Sequence, residues 1–359
     1  MVIDANYCIF ASINEFKMGH NLLVMNNRLE YIDILRGFAI ITVVMGHIIQ
    51  YNIHGVAASV CFDFIYSFHM GFFFFISGCT ASLSAERNVW RNFCNFLYKK
   101  SCQLLVPFVV WGLLVYSIVN TSCYSDIPSR FLDIFKQPDN QSPWFLLYLY
   151  CIQIVFFACC ALSQKIRFKH ARIFVLLASI PFVFVIMYLK NNYVTPFFVW
   201  ISPDYLLMFV MGVFVQTYLY KDCRYKYVIF LCFISFVYFA PKYDFYHYSY
   251  QMRIIKIIAS ISFSVAVYFI TKSAYSELGE KTRKYLRILG TNTLEIYVSH
   301  YYFIQFYPQP WIEVGLMNVI PLFVIVLSTS LPFCLLIVKV ANILKQVPGM
   351  SLVLFGKYR

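Results

Sequence analysis

The sequence predicts an all-α integral membrane protein, a bundle of about ten transmembrane helices with both termini cytoplasmic. Three observations predict it. Charged residues make up only 13% of the 359-residue chain and hydrophobic residues 61%, whereas soluble domains sit near 25% charged. A mean hydropathy of +0.68 agrees. Apolar runs long enough to span a bilayer recur along the whole chain. Finally, the basic residues alternate between loops in the manner expected of cytoplasmic and opposite sides.

The runs lie near 34–52, 61–83, 103–120, 144–162, 173–189, 197–219, 226–240, 254–271, 290–306 and 317–340. The seventh and ninth are short and rely on tilt or local thinning of the bilayer. The sixth carries Pro196 and Pro203 at its start, which leaves its first residue open. With the N-terminus in the cytoplasm, the inner segments hold 22 of the 29 Lys and Arg residues. The outer segments hold four, Arg130, Lys136, Lys190 and Lys242. Arg36, Arg253 and Lys256 fall in or at the ends of spans. This asymmetry sets the orientation.

A formal net charge of +13 is therefore read as cytoplasmic loop charge. It argues against nucleic-acid binding, and the excess on one side suits anionic cofactors. The twelve Cys residues sit mostly in apolar runs and show no CxxC pair or Cys/His metal spacing. They read as reduced thiols, and no metal site is expected. The first 24 residues lack the pattern of a secretory signal. Met25, just before Asn26-Asn27-Arg28, is an alternative start.

The long outer connection 121–143 leads into Ser142-Pro143-Trp144, where Trp144 suits an interface anchor. The inner connection 272–289 contains a basic stretch with interleaved apolar residues, Gly279 to Leu289, which predicts a helix lying on the membrane surface. The organisation expected is a cytoplasmic extension over 1–27, a single transmembrane domain over 28–345 and a cytoplasmic tail over 346–359. No internal repeat or low-complexity linker suggests a second domain.

The first span carries ionisable groups that a lipid-facing helix would exclude. Asp33, Arg36 and His47 all lie on it. Arg36 and His47 are 11 residues apart, or about three turns plus 20°, so they share one face about 16 Å apart. Such groups normally point at a cavity or a partner. The second span brings His69 to a depth similar to His47, with Asp63 and Ser67 above it and Gly71, Ser77 and Gly78 below. A single imidazole on an apolar helix reads first as a satisfied core residue. Two at one depth, one of them in line with Arg36, favour a shared pocket. The ninth span opens Gly290-Thr-Asn292-Thr-Leu-Glu295-Ile-Tyr-Val-Ser299-His300. A buried Glu295 needs a cationic partner, and Arg36 is the expected one. A helix-fixing ion pair and a catalytic role are equally good readings of Glu295. His300 is expected on its flank, about 140° round the helix. Arg253 and Lys256 at the outer end of the eighth span are explained by snorkelling, with contact to an acidic sugar as the alternative.

These residues resemble the integral-membrane acyltransferase-3 family, which acylates cell-surface polysaccharides and related envelope molecules. Tyr31-Ile-Asp33-Ile-Leu-Arg36-Gly37, followed after ten residues by His47, resembles that family's Arg-x10-His signature. Ser67-Phe-His69-Met-Gly-Phe-Phe-Phe-Phe-Ile-Ser77-Gly78 resembles its second-span motif, with Gly71 where Pro is common. Trp144-Phe-Leu-Leu and the stretch from Gly290 to His300 match two later spans. The inner loop before the third span departs from the pattern. It offers Tyr98-Lys99-Lys100 and then Pro107 instead of Arg residues before a Pro, which keeps charge but loses bidentate phosphate geometry.

The resemblance implies an O-acyltransferase of the inner (plasma) membrane. Its donor is cytoplasmic acyl-CoA, acetyl-CoA by default. Its acceptor is a hydroxyl of a polysaccharide or lipid-linked sugar of the cell envelope, and no cofactor is bound permanently. Catalytic residues are then His47 as general base, with Arg36, His69 and Glu295. The donor phosphates would meet Arg36, Lys99, Lys100, Arg283 and Arg287. Asp63, Ser67, Trp144 and His300 would meet the acceptor. A transporter or flippase, and a non-catalytic partner in envelope assembly, are the competing classes.

Overall fold

The computed structural model describes residues 30–84, 93–115, 143–163, 202–219, 225–247, 249–305, 312–313 and 318–357. Short helical pieces at 131, 134–135, 173–174, 176–181 and 185 are also described. Among the described residues, five helices are long and apolar enough to cross a membrane. They are Glu30–Asn52, Val56–Leu83, Trp144–Ser163, Tyr250–Ala274 and Val319–Leu344. A shorter apolar helix covers Pro203–Leu219. The expected span near 173–189 is described only in pieces, the N-terminal extension 1–27 lies outside the described residues, and so does most of the outer loop 121–143.

Helix α1 is Glu30–Asn52. It ends in β1, Ile53–His54, which pairs in parallel with β2, Ile312–Glu313. This two-residue ladder ties the end of α1 to the segment after the ninth expected span. The second span is two helices, α2 (Val56–Tyr66) and α3 (His69–Ser84). The break falls at Ser67. Its hydroxyl donates to the carbonyl of Phe64 at 2.7 Å, while its own carbonyl accepts from the Ser260 hydroxyl at 2.8 Å. A carbonyl drawn to another helix leaves the intrahelical ladder, a recognised cause of kinks.

The third span begins as α4 (Phe93–Lys100), passes through a π-helical turn at Ser101–Leu105, and continues as α5 (Val106–Val109) and a second π-turn at Val110–Val115. Pro107 has no N–H, and its ring crowds the carbonyl four residues back, which widens the preceding turn. Helix α6 is Trp144–Ser163. Helix α7 starts at Pro203 and runs to Phe214. Proline is at home in the first turn, where its missing N–H is not needed, and this fixes the start the sequence left open. Helix α8 is Tyr225–Phe239 and α9 is Tyr250–Ala274. The Ser249 hydroxyl caps α9 by accepting from the amide of Met252.

The basic stretch from Gly279 to Leu289 is helical, as expected, and forms α10, Glu280–Thr291. Its basic residues Lys281, Lys284 and Arg287 are exposed, and Leu289 and Gly290 are buried. The stretch expected as a ninth span forms α11, Thr293–Gln305. Asn292 breaks the helix between them, with φ −109° and ψ 24°. Gly290 and Thr291 therefore belong to α10, not to the span as expected. Helix α12 is Val319–Leu344, and α13 is Met350–Phe355.

Two reciprocal glycine contacts set how the helices cross. A Cβ on Gly78 would collide with the Phe209 carbonyl, and one on Gly212 with the Phe75 carbonyl. Helices α3 and α7 thus approach backbone to backbone, as small residues permit in membranes. In the same way Gly37 of α1 faces the Leu286 carbonyl of α10, and Gly290 faces the Asp33 carbonyl. The second contact holds α10 across the basic end of α1.

Candidate active site

Both ends of α1 carry chemistry, and the two ends differ. At the first, the Arg36 guanidinium donates to Asp33 on its own helix at 3.2 Å and to the Thr80 hydroxyl on α3 at 3.1 Å. It lines a cavity of about 420 Å³. Lys100, Gln103 and Lys357 complete the polar rim, and Phe73, Phe145 and Tyr297 line the apolar interior. Rim and interior therefore suit a ligand with an anionic head and an apolar or amide-bearing arm. The Gln153 carbonyl oxygen on this cavity's wall is buried without a hydrogen-bond partner. Buried polar atoms are nearly always paired, so this oxygen is available to a ligand donor.

At the second end, His47 sits in an aromatic cage. Its Nδ1 lies 3.0 Å from the Gln50 side-chain oxygen. Tyr66 donates to that same oxygen at 2.9 Å. An amide oxygen only accepts, so Nδ1 carries the proton and Nε2 keeps its lone pair. Gln50 lies one helical turn beyond His47 on α1, and nothing in an apolar pattern marks it out. The His300 ring is 5.2 Å from that of His47, and Tyr51, Tyr66 and Tyr301 surround it.

His69 and His300 are held in the same tautomer by their own helices. The Nδ1 of His69 contacts the Ile65 carbonyl at 3.0 Å, and that of His300 contacts the Ile296 carbonyl at 2.9 Å. Carbonyls demand a donor, so in the neutral form both rings offer Nε2 as acceptor. The Nε2 of His300 is buried and has no partner. The His69 ring lies 4.4 Å from Tyr66, which links it to the same cage. The two histidines expected at one depth are therefore joined by Tyr66. His300, expected on a flank, comes closer to His47 than His69's linkage alone would give.

Arg36 and His47 share a helix face but do not line one cavity. Tyr297 stands at the inner wall, 5.4 Å ring to ring from Phe145 and 5.9 Å from His300. Its hydroxyl accepts from the Phe145 amide at 3.2 Å. Tyr297 and His300, in ring contact with each other, stand between the cavity and His47.

The expected Glu295–Arg36 pair does not form. Glu295 is fully buried and its Oε1 is 2.5 Å from both Lys345 and Lys357. Arg36 is occupied by Asp33 and Thr80. The lysines come from the end of α12 and from the chain after α13, far from the span in sequence.

The remaining sequence candidates divide by position. Lys100 is on the cavity rim, whereas Lys99, beside it on α4, is exposed to the other side. Arg283 and Arg287 each lie 3.6 Å from Glu30 and do not line the cavity. Asp63 accepts from the Phe245 amide at 3.0 Å and so anchors the turn before α9. Ser67 is bound to its own helix, as described above. Trp144 packs against Tyr148 and Tyr205 at the start of α6. Arg253 pairs with Asp204 through both carboxylate oxygens, at 2.9 and 2.7 Å. Snorkelling is therefore not its whole role.

Over residues 29–339 the sequence matches the acyltransferase domain of the acyltransferase-3 family. The chain belongs to that family. Membership and the five apolar helices fit a membrane protein. It is similar to the Nodulation protein NolL of Sinorhizobium fredii, 30% identical over 198 residues, covering 53% of this chain and 52% of that protein. It is also similar to the Nodulation protein NolL of Mesorhizobium japonicum, 35% identical over 97 residues, covering 26% of this chain and 25% of that protein. The chain thus matches about half the length of the first of these relatives and a quarter of the second. No solved structure gives a significant match.

Proposed function

We propose that the protein is an O-acyltransferase that moves an acyl group, acetyl by default, from acyl-CoA to a sugar hydroxyl of an exported or cell-envelope polysaccharide. One observation carries the reading. A cavity with a basic rim and an aromatic interior is walled by Tyr297, which abuts His300, and His300 in turn lies 5.2 Å from His47, whose Nε2 is held as an acceptor. CoA phosphates would stay at the rim with Arg36 and Lys100, and the pantetheine arm would run inward. The thioester would pass Tyr297 and reach His47.

In the chemical step His47 Nε2 takes the proton from the acceptor hydroxyl as its oxygen bonds to the thioester carbonyl. The C–S bond breaks, and the leaving thiolate recovers the proton from the imidazolium. Gln50 and Tyr66 act as positioning residues that keep Nδ1 protonated. His69 and His300, in their neutral tautomers, accept hydrogen bonds from the sugar instead of stabilising an oxyanion. Glu295 pairs with Lys357 at the cavity rim and with Lys345 behind it. The charge asymmetry supports a cytoplasmic rim and a home in the inner (plasma) membrane.

Purified protein incubated with labelled acetyl-CoA and acceptor glycan is expected to consume thioester only when the glycan is present. Glycan transport in vesicles with no thioester turnover would favour the transporter class instead, and turnover without acceptor dependence would mark hydrolysis and overturn the transfer to a sugar.

A further inference from the structure

The residues after α12 do not trail from the bundle. Gly349, at φ +80°, and Gly356, at φ +61°, bracket α13 with left-handed turns that favour glycine. Phe355 is buried, and the Leu354 carbonyl accepts from the Trp111 indole at 2.8 Å. A Cβ on Gly356 would strike the Cys102 carbonyl in the first π-turn. These contacts return the chain to the cavity mouth and place Lys357 on its rim.

There Lys357 meets Glu295 in an arrangement that leaves the lysine replaceable. Lys345 and Lys357 both donate to Oε1 of Glu295, while Oε2 has no partner. Lys345 is further held by the Asn292 side-chain oxygen at 3.2 Å. Lys357 has only the Thr291 carbonyl besides, at 3.4 Å. Its side chain is 38% exposed against 16% for Lys345. If Lys357 swings toward a ligand, Glu295 keeps Lys345 as counter-ion, so no buried charge is stranded. The cluster of one carboxylate and two ammoniums carries a net positive charge. Lys100, whose amine contacts the neutral Gln103, adds another.

We infer that Lys357, delivered by the C-terminal helix, is a phosphate-binding residue of the cavity mouth, with Glu295 as its resting partner. The ligand class is a nucleotide-bearing donor with phosphate groups. The inference rests on the donor proposed above and adds a residue that lies beyond the family match, which ends at 339.

The test is calorimetric binding to the purified full chain in detergent, with coenzyme A and phosphate-free S-acetylpantetheine as probes. Lys357→Ala is expected to weaken coenzyme A about tenfold, as loss of one charge-assisted phosphate contact would, and to leave S-acetylpantetheine unchanged. Lys357→Arg is expected to restore most of the affinity. Equal loss for both probes would make Lys357 a structural support and overturn the inference, as would unchanged coenzyme A binding. Failure of the wild-type chain to bind coenzyme A would reject the donor itself and the inference with it. A thermal midpoint for Lys357→Ala near that of the wild type excludes misfolding as the cause.

Discussion

The role proposed for His47 depends on the two side chains around its Nδ1, Gln50 and Tyr66. A base whose Nε2 is already presented is aligned before substrate arrives, which is where a positioned general base gains its typical hundredfold or more. His47→Ala is expected to insert normally and to lose acyl transfer by at least about two orders of magnitude. Labelled-acetyl incorporation per folded protein measures this. Gln50→Leu removes the acceptor that fixes the tautomer. Its kcat is expected to fall about tenfold with KM unchanged, because second contacts of this kind typically change function by that order. A merely structural effect would alter KM and folded yield as well. Arg36 spans two helices through Asp33 and Thr80. Arg36→Lys keeps the charge but cannot span both partners with one planar fork. A raised KM for the donor is expected, read from steady-state kinetics, and an unchanged KM would remove Arg36 from donor binding.

At the scale of elements, the helix crossings depend on absent side chains. Gly78 and Gly212 face each other's helix backbones with no room for a Cβ. Gly212→Val is expected to lower the thermal midpoint sharply or abolish folding, since overpacking commonly costs about 1–3 kcal/mol and backbone clashes more. Gly279→Ala is the control, because nothing lies within 4 Å of its added Cβ. It is expected to fold like the wild type. The kink at Ser67 and the break at Asn292 show why element boundaries were only partly legible. Each depends on a bond to a distant residue, Ser260 in the first case and Lys345 in the second. Periodicity within one stretch carries no record of those partners. Pro203 was legible in kind, since proline fixes a first turn wherever it stands.

For the molecule as a whole, loop charge predicts a cytoplasmic C-terminus. A fluorescent protein fused after Arg359 is expected to fluoresce, and a periplasmic phosphatase fused there to stay inactive. The opposite pair of results would reverse the topology and place the basic cavity mouth outside, where acyl-CoA is not supplied. The sequence by itself determined the membrane class, the family, and the placement of Arg36 and His47 at opposite ends of one helix face. Hydropathy, charge placement and helical spacing are local properties, so a single chain displays them. Only the tertiary structure decided which charges meet. It paired Glu295 with Lys345 and Lys357, brought His300 and Tyr66 against His47, and set Tyr297 between the cavity and His300. Partners separated by tens to hundreds of residues are chosen by how helices pack, and in a bundle that choice rests on where backbones come close enough to touch.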